Sequence, residues 1–156
     1  MGPAGSGKTT VGELLATQLG WEFVDSDSLH SPANIEKMAR GVPLDDNDRV
    51  PWLNSIREEM EKWNAQRRNV VLACSALKKS YRERLQINSS VKLVHLKGTY
   101  DLLRERLHSR KGHYATEQLL GSQFADLEEP EDAITVDVAY SREEIVAEIR
   151  KQLALA

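Results

Sequence analysis

Apolar residues recur along this chain with two alternating signatures, helical stripes and short unbroken runs. Val11, Leu14, Leu15 and Leu19 share one helical face, and Gly20 supplies the stop. Trp21-Glu22-Phe23-Val24 reads as a short strand ending at Asp25-Ser26-Asp27. Ser31 is a cap followed by Pro32 at the first helical position, and Ile35, Met38 and Ala39 give a short helix closed by Gly41. After a polar connection from Val42 to Arg49, Trp52, Ile56, Met60 and Trp63 form a stripe that predicts a long amphipathic helix beginning at Pro51.

The second half repeats the alternation. Val70-Val71-Leu72-Ala73 has no polar break, as expected of a strand covered on both faces. A helix from Ser75 through Gln86 would bury Leu77, Tyr81 and Leu85, and Val91 to Leu96 is the next strand. Tyr100 to Arg110 is a helix packing through Leu103 and Leu107, followed by helix Thr116 to Leu127, a turn around Pro130 and a strand from Ile134 to Val138. Ser141 and Glu144 make a capping box for a last helix carrying Ile145, Ile149 and Leu153. Strands alternating with helices predict an α/β sandwich on a parallel sheet built from right-handed crossovers. Ligands in such sheets sit at the carboxyl ends of the strands, where Asp25, Asp27 and Ser75 lie.

The stretch Gly2-Pro3-Ala4-Gly5-Ser6-Gly7-Lys8-Thr9 satisfies G-x-x-x-x-G-K-[ST] and runs straight into the first helix. Gly2, Gly5 and Gly7 let the chain curl so that successive backbone N–H groups point inward at phosphate oxygens. Lys8 adds a mobile positive charge. Thr9 can present its hydroxyl to Mg²⁺, and with Thr10 it opens a helix whose N-terminus is partly positive. The plainer alternative is a glycine-rich turn with an incidental lysine. A loop of this kind ordinarily follows a buried strand, and only Met1 precedes it here. The expectation is therefore a sheet lacking its first strand, in a chain that is either incomplete or poorly stable.

Composition narrows the partners. The 156 residues suit one domain, 40% hydrophobic and 29% charged, an ordinary globular balance. A net charge of −3 does not favour nucleic acid or an anionic membrane. The single cysteine, Cys74, excludes an internal disulfide and a Cys-rich zinc site, and reads as structural. No signal peptide or spanning segment is recognisable, so the expected location is the cytoplasm. The Asp-rich run before Pro51 lacks the central glycine and terminal glutamate of a calcium loop.

Asp25 and Asp27, two apart, project the same way if the backbone stays extended. One carboxylate could support Mg²⁺ and the other accept the proton of an attacking hydroxyl. As turn and capping residues they would be unremarked. Lys78 and Arg82 would share a helix face at i, i+4 with Lys79 beside them, a like-charge arrangement that costs roughly a few tenths of a kcal/mol unless an anion sits there. A solvated basic face is the other reading. His30 and Arg49 are further acceptor-site candidates. Arg106 and Arg110 end a helix, where cations complement the dipole, but they also suit a lid, one guanidinium stacking on a base and the other reaching transferring phosphate.

These stretches together resemble the gluconokinase family, small P-loop kinases related to shikimate kinases and nucleoside monophosphate kinases. The resemblance runs from the P-loop to about Val138. Its distinguishing pieces are Asp25-Ser26-Asp27 with His30, Asn34-Ile35-Glu36-Lys37-Met38, Gly41-Val42-Pro43-Leu44 leading to Asp48-Arg49-Val50-Pro51-Trp52-Leu53, Cys74 through Lys79 with Tyr81-Arg82, Arg110-Lys111-Gly112-His113, and Gln123-Phe124 with Leu127-Glu128. The resemblance implies a three-layer P-loop kinase sandwich, strand order 2-3-1-4-5, in a single domain over 1–156 with a lid at roughly 110–130.

It further implies that Lys8 and Thr9 serve ATP and Mg²⁺, with Gly2, Gly5, Ser6, Gly7 and Thr10 around the nucleotide. Asp25 would support the metal and Asp27 would be the base. His30, Arg49, Lys78 and Arg82 would face the carboxylate and hydroxyls of D-gluconate, Arg106 the adenine, and Arg110 the transferring phosphate. The implied reaction is phosphorylation of D-gluconate to 6-phospho-D-gluconate, and the family leaves room for a homodimer. Shikimate kinases carry a glycine-rich turn where this chain has Cys74-Ser75-Ala76-Leu77, which argues against that acceptor. A nucleoside monophosphate kinase and a non-catalytic nucleotide-binding protein are the remaining alternatives.

Overall fold

The computed structural model describes residues 1–109 and 116–155. Its strands are β1 (Glu22–Asp25), β2 (Val70–Ala73), β3 (Val94–Lys97) and β4 (Ile134–Asp137). The helices are α1 (Lys8–Leu19), α2 (Pro32–Ala39), α3 (Asp46–Ala65), α4 (Lys79–Leu85), α5 (Tyr100–His108), α6 (Thr116–Asp126) and α7 (Arg142–Gln152), with a 3-10 turn at Ser26–Leu29. The alternation of apolar runs and stripes is thus realised as alternating strands and helices.

Among the described residues all strand pairing is parallel, but it falls into two separate two-stranded sheets, β1 with β2 and β3 with β4. Glu22 stands opposite Val70 and Asp25 opposite Ala73; Val94 stands opposite Ile134 and Lys97 opposite Asp137. The expectation that the strands near Trp21 and Val70 lack a direct partner in those near Val94 and Ile134 is met. Met1 and Gly2 bridge the two. The Met1 nitrogen donates to the Val94 carbonyl at 2.6 Å, Leu96 N–H donates to the Met1 carbonyl at 2.9 Å, and Gly2 N–H donates to the Ser75 carbonyl at 3.2 Å. That is the bonding of a parallel strand residue lying opposite His95. Behind it a cleft of about 730 Å³, walled by Val11, Leu15, Val71, Leu72, Val94 and Ile149 among others, separates the half-sheets.

Two apolar clusters hold the halves. One joins Val11 and Leu15 of α1 to Leu96, Leu103, Val136 and Ile149. The other joins Trp52, Leu53 and Ile56 of α3 to Cys74, Tyr81 and Leu85. Trp63 is buried as well, which agrees with reading the α3 stripe as core, whereas Trp21 is only half-buried at the cleft.

Three elements begin three or more residues away from the sequence expectation. Helix α3 begins at Asp46, five residues before Pro51, because Asp45 and Asp48 form a reciprocal capping box: Asp48 N–H donates to Asp45 Oδ1 at 2.7 Å, and Asp45 N–H to Asp48 Oδ2 at 3.1 Å. Pro51 lies inside the helix and forgoes one bond. Helix α4 begins at Lys79 rather than Ser75, since Ala76 sits at φ 45°, a left-handed conformation that ends any helix, and Lys78 is extended as the cap residue. Strand β3 begins at Val94 rather than Val91, where its partner β4 starts.

Candidate active site

The candidate phosphate-binding end is built from the main chain. Gly5 at φ 80° and Gly7 at φ 91° take left-handed conformations that other residues adopt only with strain. A Cβ on Gly5 would also lie 3.1 Å from the Leu103 carbonyl oxygen, so α5 packs directly on the loop. Gly7 caps α1 without any side chain on the exposed helix N-terminus, leaving its N–H groups open to an anion. Lys8 folds back over the loop, its Nζ donating to the carbonyls of Gly2 at 2.8 Å and Pro3 at 3.1 Å. The Ser6 side chain is buried beneath the loop and its N–H closes a turn onto Pro3, so Ser6 shapes the cradle from inside. Thr10 is exposed in the first turn of α1.

At the mouth of this cradle Thr9 Oγ1 donates to Asp25 Oδ2 at 3.3 Å, which joins the start of α1 to the end of β1. Asp25 does not stay in an extended run with Asp27. Its Oδ1 accepts the Asp27 N–H at 3.0 Å and so caps the 3-10 turn. The turn, rather than strand alternation, therefore sets the direction of Asp27. The Asp27 residue as a whole is exposed, with protein packed around part of its carboxyl. Burial and then the charge of Asp25 raise its pKa above the ordinary 3.8, while Lys8 pulls it back.

The second wall adjoins this carboxylate pair. Trp52 Nε1 donates to the carbonyl of Ser26 at 2.8 Å, and the ring of His30 stacks on Trp52 with centroids 4.2 Å apart. One turn before Trp52 on α3, Arg49 is only 8% exposed. Its Nη1 donates to Tyr81 Oη and to Asp126 Oδ2, each at 3.0 Å. Lys78 Nζ pairs with Asp46 at 2.8 Å, and the Tyr81 hydroxyl also donates to Asp46. Burial, with Arg49 as the next cause, lowers the pKa of His30 to about 4, so this imidazole is neutral at physiological pH. The Nδ1 atom of His30 lies 3.3 Å from Asn34 Nδ2, a donor that suits a neutral ring.

The structure thus gathers Lys8, Thr9, Asp25 and Asp27 at one end and His30, Arg49 and Lys78 at the other. Arg82 is placed differently from the i, i+4 expectation. Lys78 is not on the helix, so the two cations do not share a face. The guanidinium of Arg82 donates to the carbonyls of Ala76 at 2.8 Å, Leu77 at 3.0 Å and Glu128 at 2.7 Å. Arg106 donates to the Val138 carbonyl, one helical turn from the Leu103 backbone that abuts Gly5. Arg110, and the first part of the expected lid, lie outside the described residues. Cys74 is buried and free, and burial pushes its thiol pKa up, in keeping with a structural role.

Several positions that did not stand out as site candidates in the sequence join the walls of the site. Gln123 on α6 accepts the Ala4 N–H of the cradle at 2.7 Å. Glu128 accepts the Lys79 N–H at 3.2 Å, and its own N–H donates to the Leu77 carbonyl at 2.8 Å. Together with Asp126 these tie the end of α6 to both walls. Only the appearance of Gln123-Phe124 and Leu127-Glu128 among the distinguishing stretches hinted at them.

Comparison with known proteins identifies the family and the fold. Residues 4–154 match the shikimate kinase family model. A probable gluconokinase of Mus musculus is 44% identical, covering 98% of this chain and 95% of that protein. The thermoresistant gluconokinase of Escherichia coli K12 is 41% identical over 94% of this chain and 87% of its own length. A crystal structure of a gluconokinase from Sinorhizobium meliloti superposes with a TM-score of 0.88 at 44% identity, covering 99% of this chain and 89% of that one. The chain belongs to the gluconokinase family. It has the α/β fold of the shikimate-kinase-like P-loop kinases, whose chemistry uses ATP. Among the described residues no helix is long and apolar enough to cross a membrane.

Proposed function

We propose that the chain transfers the γ-phosphoryl group of ATP to D-gluconate, giving ADP and 6-phospho-D-gluconate, as a cytoplasmic enzyme of one domain. The observation that carries the reading is the continuous wall from the cradle to a buried cation: Thr9 to Asp25, Asp25 to the turn holding Asp27, and that turn through Ser26 and Trp52 to Arg49. It offers phosphate, base and carboxylate positions to a single acidic polyol, a small-molecule partner, with no call on nucleic acid or membrane.

In this reading the main-chain N–H groups of the loop and the N-terminus of α1 hold the nucleotide phosphates, and Lys8 leaves its two carbonyls to follow the transferring group. The donor set at Thr9 and Asp25 is hard oxygen, as Mg²⁺ requires. Among the described residues no group of three or more His, Cys, Asp and Glu is assembled to hold a metal without phosphate oxygens. A bound Mg²⁺ supplies charge neutralisation at the phosphates. Asp27 takes the proton of the attacking hydroxyl, and its raised pKa brings it nearer to that task. Arg49, Lys78 and neutral His30 receive the carboxylate and hydroxyls. Arg82 holds the Ala76 to Lys78 segment from behind. Arg106 near the cradle and Arg110 beyond α5 are assigned to the base and the transferring phosphate, and a homodimer is the assembly carried over from the family.

In sheet terms the family order 2-3-1-4-5 places β1 and β2, then the position continued by Met1, then β3 and β4. The Met1 pairing opposite His95 supports that order.

The test is ADP release with Mg-ATP, with and without D-gluconate, shikimate and AMP as parallel acceptors. Release that depends on gluconate is expected. Release that depends on shikimate or AMP would reassign the acceptor, and ATP binding without acceptor-dependent release would make the chain a nucleotide-binding protein.

A further inference from the structure

Arg49 is the most enclosed cation at the acceptor wall, and a carboxylate already sits on it. Both of its side-chain hydrogen bonds among the described residues run from Nη1, one to Tyr81 and one to Asp126 Oδ2 at 3.0 Å. Asp126 comes from α6, 77 positions away, so the pair is made by the fold and not by local sequence. Nothing about α6 calls for an acid there. Asp126 is its last residue, where negative charge opposes the helix dipole, and the last turn has no basic residue to offset it. A second carboxylate, Asp46, occupies Lys78 and the Tyr81 hydroxyl in the same cluster. Each cation assigned to an acidic acceptor is therefore neutralised from within.

We infer that Asp126 is an internal stand-in for the acceptor's carboxylate, a specificity-determining residue that holds Arg49 ready in position while lowering its attraction for the incoming anion. This rests on the reading of the site as one for an acidic polyol. An acceptor anion approaching the Nε and Nη2 side of Arg49 meets a guanidinium whose charge is already balanced, and it either displaces Asp126 or binds beside it. In both cases the Asp126 charge works against it. A neutral polyol lacks this penalty but also gains nothing from Arg49, so the pair sets how much a carboxylate is worth to binding. Displacement of Asp126 would also reach the cradle, because Gln123, one turn earlier on α6, holds the Ala4 N–H.

The experiment compares Asp126→Asn and Asp126→Ala with the unsubstituted chain, measuring the gluconate and ATP dissociation constants by calorimetry. Asn keeps an oxygen for Arg49 Nη1 and removes the charge; Ala removes both. Asp126 ends its helix and is partly exposed, so neither change opens a core cavity, and a circular dichroism melt checks the fold. The expected result is tighter gluconate binding in both variants, by about three- to fivefold, the scale of one partly exposed ion pair, with ATP affinity unchanged. Unchanged or weaker gluconate binding in Asp126→Asn overturns the inference. In particular, unchanged binding in Asp126→Asn with weakening confined to Asp126→Ala would make Asp126 only a positioning residue for Arg49. Gluconate-dependent ADP release by the unsubstituted chain is measured alongside. Its absence removes the acidic-polyol reading and this inference together, whereas its presence with a slack or inert Asp126→Asn removes the inference alone.

Discussion

The two ends of the site are made from different parts of the polypeptide. The phosphate cradle is one short run of consecutive residues whose polar groups are largely main chain, shaped by left-handed glycines and covered by α5. The acceptor wall draws side chains from the 3-10 turn, α3, α4 and α6 and balances cations against carboxylates. A main-chain site presents the same donors whatever the neighbouring side chains are, so it can serve any nucleotide phosphate. A side-chain site depends on each charge, so it is where one acceptor is told from another.

The largest effect should come where the two ends meet. Replacing Asp27 by Asn is expected to lower kcat by about 10²- to 10⁴-fold, the usual contribution of a general base. The pH profile adds a direction. Because burial and Asp25 raise the Asp27 pKa, activity should fall with decreasing pH through a value above 3.8, and Asp27→Asn should lose that limb. A variant with near-normal kcat would move the base elsewhere. Next comes the cradle alone. Lys8→Ala should cost about 10²- to 10³-fold in kcat while the gluconate dissociation constant hardly moves. A large loss of gluconate affinity in that variant would show that the two ends are not separable.

On the acceptor side the expected change is in stability. The pKa of His30 is lowered to about 4 in the fold, against an ordinary 6.5. The unfolded chain therefore takes up this proton first as pH falls, and stability drains away between about pH 6.5 and 4, being fully retained only above that window. The loss should be roughly 2–3 kcal/mol, and His30→Gln should flatten it in urea melts at pH 7 and pH 4. Parallel curves for the two proteins would mean that His30 titrates normally.

The contrast between the ends also explains what could be read from the sequence. The cradle was legible because its geometry is local: glycines at fixed offsets, a lysine, a helix directly after. Periodicity likewise placed the strands and helices, although Val70, Val71 and Leu72, expected to be covered on both faces, are only half-buried where β2 lines the cleft. The start of α3 was read too late because Pro51 looked like an opening residue, while the stronger signal, a capping box, lay hidden in an Asp-rich run. The start of α4 was read too early because nothing in the side-chain pattern marks Ala76 as left-handed. With that error Lys78 and Arg82 fell on one face, where the fold separates them. Asp126, Gln123 and Glu128 looked like the polar end of a helix, and only tertiary contact gives them partners.

Arg82 offers the smallest and most discriminating change. If the guanidinium were an acceptor ligand, Arg82→Ala would weaken gluconate binding and leave the fold untouched. Its donors instead reach three carbonyls, those of Ala76, Leu77 and Glu128, and the Leu77 carbonyl also accepts the Glu128 N–H. Truncation should therefore destabilise by about 1–2 kcal/mol, partly made good by water. For a chain of this size that is a fall in Tm of roughly 2–8 °C. Gluconate affinity should change by less than about twofold, because Lys78 keeps its own partner, Asp46, on α3. Arg82→Lys should recover only part of the loss, since a single ammonium cannot fork across carbonyls from two segments. A tenfold loss of gluconate affinity at unchanged Tm would return Arg82 to the acceptor wall, and would mean that the side chain leaves all three carbonyls when substrate arrives.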